Sequence, residues 1–256
     1  MRIALLDKLI GEWAKPWIIA WFLSSTLVLA LVFWFTTERR PLDLFYLEVS
    51  VLGLMCVVGL AFRHNVSGNG MGIAANAGEV VVHATSGSVG LMLAPAFNFF
   101  THICGLAYWA RNAGPDGRMT PRPADGWVWA LTITCIVVGL LFFPDLNDWL
   151  DRKGHVVIPH DGRRLHGIDF FWINMLAFVL SMAAQTAMIL RYTFNWWLWT
   201  LVNVVWLVVN LMSGNFIFAA QTLLYQVNTM VGLYAWHVNT TATAEEEHAL
   251  AERAVA

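Results

Sequence analysis

Asn195-Trp196-Trp197-Leu198-Trp199-Thr200-Leu201-Val202-Asn203-Val204-Val205-Trp206 opens an apolar segment whose next amide is Asn210. On a helix, Trp199, Asn203, Trp206 and Asn210 fall at i, i+4, i+7 and i+11 and form one stripe. A second apolar segment, from Phe216 to Trp236, repeats the spacing with Gln221, Tyr225, Asn228 and Gly232. Hydrocarbon penalises amides and hydroxyls, so both stripes are expected to face something other than lipid.

That stretch has a partner. Moving the sequence back by 127 residues, without a gap, brings Asn203 onto Asn76, Trp236 onto Trp109 and Ser213-Gly214 onto Ser86-Gly87. Gly232-Leu233 meets Gly105-Leu106, Asn239 meets Asn112, and Met182 meets Met55. A register that also aligns the apolar blocks is expected of an internal duplication. The stripe of the first copy reads Gly72, Asn76, Glu79, His83.

Composition sets the class. The chain has 256 residues, 58% of them hydrophobic and 12% charged, with fourteen tryptophans. A soluble domain carries roughly a quarter charged residues, and several blocks here are about 20 apolar residues long, enough to cross a bilayer. The reading is an all-α polytopic membrane protein. A net charge of −2 gives no reason to expect a nucleic-acid partner. Cys56, Cys104 and Cys135 lie in apolar blocks without CxxC or Cys/His spacing, so neither disulfide nor metal site is expected, and they read as small apolar fillers.

Taken in order, residues 1–43 hold an amphipathic lead-in and an extra span, Trp17 to Thr36, read as retained rather than as a signal peptide. Residues 44–110 form a first three-helix repeat, with spans near Leu44–Phe62, Met71–Thr85 and Val89–Ala110. Residues 111–168 form a linker with one span, Trp127–Phe143, and a polar loop from Pro144 to Ile168 whose His155, His160 and His166 lack ligand spacing. Residues 169–238 form the second repeat, and 239–256 an acidic tail. Eight spans result: one extra, then three, one and three. Four crossings separate the triplets, so the repeats are parallel about an axis along the membrane normal. The side holding both termini carries nine Lys and Arg against six, which favours termini in the cytoplasm.

A site between the repeats at mid-membrane follows from that symmetry. Its candidate lining is Asn76, Glu79, Asn98, Trp199, Asn203, Trp206, Gln221, Tyr225 and Asn228. Matched positions differ: Gly72 pairs with Trp199, Glu79 with Trp206, Ala94 with Gln221, Asn98 with Tyr225 and Thr101 with Asn228. Such a divided lining suits a flat, asymmetric ligand. No Lys or Arg occurs between His64 and Ala110, or between Tyr192 and Glu252. A buried phosphate needs cations or aimed N–H groups, so phosphorylated ligands should be rejected. Amides can bond hydroxyls and carboxamides, and Trp faces can stack a ring or hold a cation.

Blander roles compete. Trp109, Trp127, Trp129 and Trp236, near span ends, are expected as interfacial anchors. Trp196 and Trp197 fit either an anchor or a pocket. Asn76 and Asn203 fit a helix–helix bond as well as a ligand contact. Glu79 fits a neutral buried acid, a cation partner or a proton carrier, and His83 a structural role.

The run Asn195, Trp196, Trp199, Asn203, followed by Tyr225, Asn228, Gly232 and Trp236, resembles the PnuC family of bacterial vitamin transporters over roughly residues 44–238. The resemblance implies a 3+1+3 fold similar to that of SWEET sugar transporters and facilitated diffusion of nicotinamide riboside. That is uptake of vitamin B3 for NAD biosynthesis across the bacterial inner membrane, made one-way by phosphorylation inside the cell. It also implies that Trp199, Asn203, Gln221, Tyr225 and Asn228 line the substrate site, with Asn76 from the other repeat. Other family members carry thiamine or deoxynucleosides. No cofactor and no catalytic group is expected, since no nucleophile–base pair or HExxH appears in the spans. The partners expected are the small-molecule substrate, the bilayer and possible further copies of the chain. A ligand-binding receptor that does not transport is the alternative of another class.

Overall fold

The computed structural model describes the backbone of residues 3–85, 89–154 and 162–255, and side chains over 3–82, 92–154 and 162–240. Ser86, Gly87, His155, His160 and the side chain of His83 lie outside the described residues.

A short helix α1 (Ala4–Ile10) leads into α2 (Ala14–Thr36) and α3 (Pro41–Ala61). A π-turn at Val66–Gly70 runs straight into α4 (Met71–Thr85), and α5 (Val89–Arg111) follows. Then come α6 (Gly126–Arg152), a small antiparallel hairpin pairing Arg164–Leu165 with Ile168–Asp169, α7 (Phe170–Ile189), α8 (Asn195–Met212) and α9 (Phe216–Val255). Among the described residues, six helices are long and apolar enough to cross a membrane: α2, α3, α6, α7, α8 and the first 25 residues of α9. With α4 and α5 they form the expected 3+1+3 arrangement and its extra N-terminal helix. The protein is an all-α multi-pass membrane protein.

Local chemistry sets the helix ends. Asp125 and Asp169 accept from the backbone N–H groups of Val128 and Phe171 and start α6 and α7, and Asn215 accepts from Phe218 to start α9. The expected polar loop begins later than Pro144, because α6 continues to Arg152. Residues 144–152 carry Asp, Asn and Arg, yet Pro144 leaves that last stretch helical. Proline lacks an N–H but not the helical φ, so the helix passes through it.

Arg63 and Arg191 close α3 and α7 in the same way, with left-handed backbone at φ 62° and 69°. These two positions are 128 apart, so the gap-free register of 127 holds for the second and third helices of each half but slips by one in the first. Both arginines then grip the loop that follows α5. Arg63 donates to the Met119 carbonyl at 3.1 Å and Arg191 to the Thr120 carbonyl at 2.8 Å. The Arg122 N–H donates to the Arg191 carbonyl at 2.9 Å. A single irregular segment is thereby strapped across both halves on the side that holds α1.

The helices of each half pack in sequence, and the halves meet through α3 against α9 and α5 against α7. α2 lies on α3 and α9, and α6 on α7, both mostly facing outward. Exposed Leu, Val, Phe and Trp on those two helices form the surface that lipid covers. The lead-in is docked, not free: the Tyr234 hydroxyl accepts from Ile3 N at 2.7 Å and donates to Asp7 at 2.9 Å.

Trp109 and Trp236 are not interfacial anchors. Both are fully buried, as is Trp196, in a cluster with Met119, Leu60 and Met188 at the strap end of the bundle. Their position near helix ends suggested the membrane surface, but the strap covers those ends. Trp127 and Trp129 are exposed, and Trp197 is 55% exposed.

Candidate functional site

A cavity of about 200 Å³ runs through the middle of the bundle, lined by all six helices of the two halves. Its lining follows helical spacing. α3 contributes Gly53, Cys56, Val57 and Leu60, and α7 contributes Ser181, Gln185 and Met188. α4 supplies Asn76 and Glu79 where α8 supplies Asn203 and Trp206, together with Trp199. α5 brings Ala94, Pro95, Asn98 and His102, and α9 brings Gln221, Thr222, Tyr225 and Thr229 at the four matched positions. The two halves thus present the same rows of positions with different side chains.

Eight of the nine candidate residues line this space: Asn76, Glu79, Asn98, Trp199, Asn203, Trp206, Gln221 and Tyr225. Asn228 does not. It is buried, and its amide turns back to the Leu224 carbonyl at 3.5 Å. The lining row of α9 continues from Gln221 through Tyr225 to Thr229, steps of four, and a residue one position earlier is rotated by about 100°. Thr101, matched to Asn228, is likewise absent from the lining.

Most of the polar lining is already bonded. The Asn203 amide donates to Gln226 Oε1 and Thr229 Oγ1, both at 3.1 Å, and so ties α8 to α9. Asn76 donates to the Gly72 carbonyl of its own helix at 2.8 Å. Ser50 donates to Gln221 Oε1 at 3.3 Å, and Gln221 donates onward to the Tyr225 hydroxyl, linking α3 to α9. Gly53 has to be glycine there, since a Cβ would run into that hydroxyl. Trp206 is pinned by its indole N–H to Ser181 Oγ at 2.9 Å.

His102 and Gln185 are lining residues the sequence reading missed. His102 Nδ1 lies 2.9 Å from Asn69 Oδ1, and its Nε2 lies 3.2 Å from Gln185 Nε2. Asn69 in turn donates to Asn65, and Asn65 to the Leu106 carbonyl. Read in one direction, the chain gives a neutral imidazole that donates from Nδ1 and accepts at Nε2. The available signal was spacing: His102 sits four residues after Asn98, and Gln185 is the single amide in the interior of α7 below Asn174.

Three polar atoms of lining residues are buried without a partner: Asn98 Oδ1, an acceptor, and Trp196 Nε1 and Trp199 Nε1, both donors. Such orphans are uncommon and mark places where a ligand or water completes the bonding. No Lys or Arg is among the lining residues, and among the described residues no cluster of His, Cys, Asp and Glu could hold a metal ion.

The cavity is closed at one end. Leu60, Met188 and Trp196 belong both to its wall and to the aromatic cluster under the strap, whereas Ser213 and Asn215, in the α8–α9 turn, line the opposite end.

Comparison with known proteins bears on the same region. The family described as nicotinamide mononucleotide transporter matches residues 43–238. The crystal structure of the vitamin B3 transporter PnuC is similar at a TM-score of 0.67 and 21% identity, over 88% of this chain and 92% of that one. At that identity the likeness speaks for the fold. No curated protein matches the chain.

Proposed function

The chain belongs to the family described as nicotinamide mononucleotide transporter, and within it we propose that this chain carries nicotinamide riboside, without the phosphate of that description, by facilitated diffusion. The observation that carries this reading is the charge of the lining. Twenty-seven residues wall the cavity, and none is Lys or Arg. A phosphomonoester brings close to two negative charges at neutral pH, and without a cation or several converging N–H groups its desolvation is not recovered. Glu79 in the same wall opposes it further.

The riboside meets complementary groups. Its carboxamide and ribose hydroxyls can donate to Asn98 Oδ1 and accept from Trp199 Nε1, two of the three lining atoms left without partners. Its flat ring suits the faces of Trp199 and Trp206, and Trp206 is held in place by Ser181. We place the substrate contacts on Asn76, Glu79, Asn98, Trp199, Asn203, Trp206, Gln221 and Tyr225. Membership alone leaves thiamine or a deoxynucleoside as a second reading.

The test is calorimetry of the purified chain with the riboside and its mononucleotide in one detergent. The riboside should bind and the mononucleotide should bind at least ~100-fold more weakly, the scale on which an uncompensated buried charge acts. Comparable affinities would overturn the reading.

A further inference from the structure

Among the described residues, nothing answers the charge of Glu79. It lines the cavity from the middle of α4, and no hydrogen bond or ion pair among the described residues reaches it. Arg40 pairs with Glu38 and Asp43, and Arg63 with Asp116, all outside the cavity. The other titratable side chains facing the space are Cys56 from α3, His102 from α5 and Tyr225 from α9, and none is a permanent cation. His102 has both ring nitrogens engaged by the amides of Asn69 and Gln185.

The contrast with its neighbours is sharp. Asn76, Asn203 and Gln221 are each bonded within the protein. Glu79 is the single Asp or Glu in the lining, and an ionisable group at mid-membrane is costly unless something of opposite sign meets it. Across the pseudo-axis its matched position holds Trp206, with Trp199 two turns earlier in the same row. An indole face is also attractive to positive charge. One half therefore supplies a carboxylate and the other supplies π-faces, and the object both favour is a flat ring bearing delocalised positive charge.

We propose that Glu79 is the counter-charge of the transported ligand and makes the site selective for an organic cation over a neutral molecule of the same shape. The inference rests on the riboside reading above and extends it, since a pyridinium ring carries such a charge. It also gives Glu79 a role distinct from proton carriage: the carboxylate stays ionised while the ligand is bound, and the ligand neutralises it.

The experiment compares nicotinamide riboside with its reduced 1,4-dihydropyridine form, which has nearly the same shape and no charge. Binding of both is measured calorimetrically on the full chain, wild type and Glu79→Gln. Wild type should prefer the cation by at least about tenfold, and Glu79→Gln should lose about tenfold or more for the cation while changing less than about twofold for the reduced form. A variant that keeps the full preference overturns the assignment, because the tryptophan faces alone then account for it. If Glu79→Gln does not fold, wild type decides: equal affinity for both forms overturns the assignment and a tenfold preference supports it. If wild type binds neither form, the riboside reading falls, and the charge assignment is judged on thiamine, a cation, against neutral thymidine. A preference for thiamine that the variant removes supports it, and no preference overturns it.

Discussion

Trp109 and Trp236 meet edge to face with ring centroids 5.7 Å apart, and each donates its indole N–H to the last turn of the first helix of the opposite half. Trp109 reaches the Ile189 carbonyl at 3.0 Å and Trp236 the Leu60 carbonyl at 3.1 Å. The pair is a crossed clasp between halves. Trp109→Ala should therefore cost about 3–5 kcal/mol of stability, the range for emptying a buried aromatic site. Trp127→Ala, at a side chain 72% exposed, should stay within about 0.5 kcal/mol. Thermal unfolding of both variants in one detergent separates the two outcomes, and equal melting temperatures would refute the clasp.

Two matched glycines make room for that clasp. A Cβ on Gly232 would lie 2.5 Å from the Trp196 ring, and one on Gly105 would lie 2.6 Å from Asn69 Oδ1 and Ile189 Cδ1. Residues 69 and 196 are themselves matched by the register of 127, so the same close approach is used in each half. Gly232→Ala should destabilise by about 1–3 kcal/mol, because a buried indole cannot yield. Gly126→Ala, where a Cβ meets nothing within 4 Å, is the control. Both are read from the temperature at which each variant loses its monodisperse elution profile.

How much of this was legible beforehand follows from what periodicity can carry. The spans, the 3+1+3 order and eight of the nine candidate lining residues came from spacing, because a bilayer forces helices and helices impose a fixed angular step. Asn228 falls outside the cavity wall for the same reason: i+7 and i+8 from Gln221 both look like one stripe in sequence, and the row that faces the cavity runs through Tyr225 to Thr229. The anchors Trp109 and Trp236 were misread because position along a span does not reveal that a loop folds over its end. His102 and Gln185 were missed because their signal lies in partners from different helices, which sequence spacing does not pair. The slip of one residue at Arg63 and Arg191 could not be seen, since a chance match of Met55 with Met182 hid it.

Affinity should divide the asparagines from the tryptophan. Trp199→Ala should weaken riboside binding by about 1–3 kcal/mol and also lower stability, since its ring packs against two core clusters, so Trp199→Phe is the companion variant that keeps most of the packing. Asn203→Ala should weaken both, because its amide also joins α8 to Gln226 and Thr229 on α9. Asn76→Ala is the cleanest case: its bond stays within its own helix, so stability should change by under about 1 kcal/mol. Calorimetry paired with thermal unfolding reads both quantities. Normal binding by all three folded variants would move the site elsewhere.

Transport should ignore a proton gradient. Glu79 is the single carboxyl group in the cavity wall, and its assigned partner is the ligand rather than a proton. Uptake of labelled riboside into vesicles, at fixed membrane potential, should be the same with and without an inward proton gradient. Acceleration of several-fold would require a coupled mechanism.

The strap between α5 and α6 limits how this molecule can work. The same segment is clasped by Arg63 from one half and Arg191 from the other, and its Met119 seals the aromatic floor beneath it. A solute arriving from the Ser213 end meets a shut door, and that door cannot swing from one jamb alone. Met119 and Thr120 are neighbours in the chain, each held by a different half, so any parting of the halves at this end would pull directly on the strap. Lengthening or cutting it would alter the rate of release on that side before it altered how tightly the cargo is held.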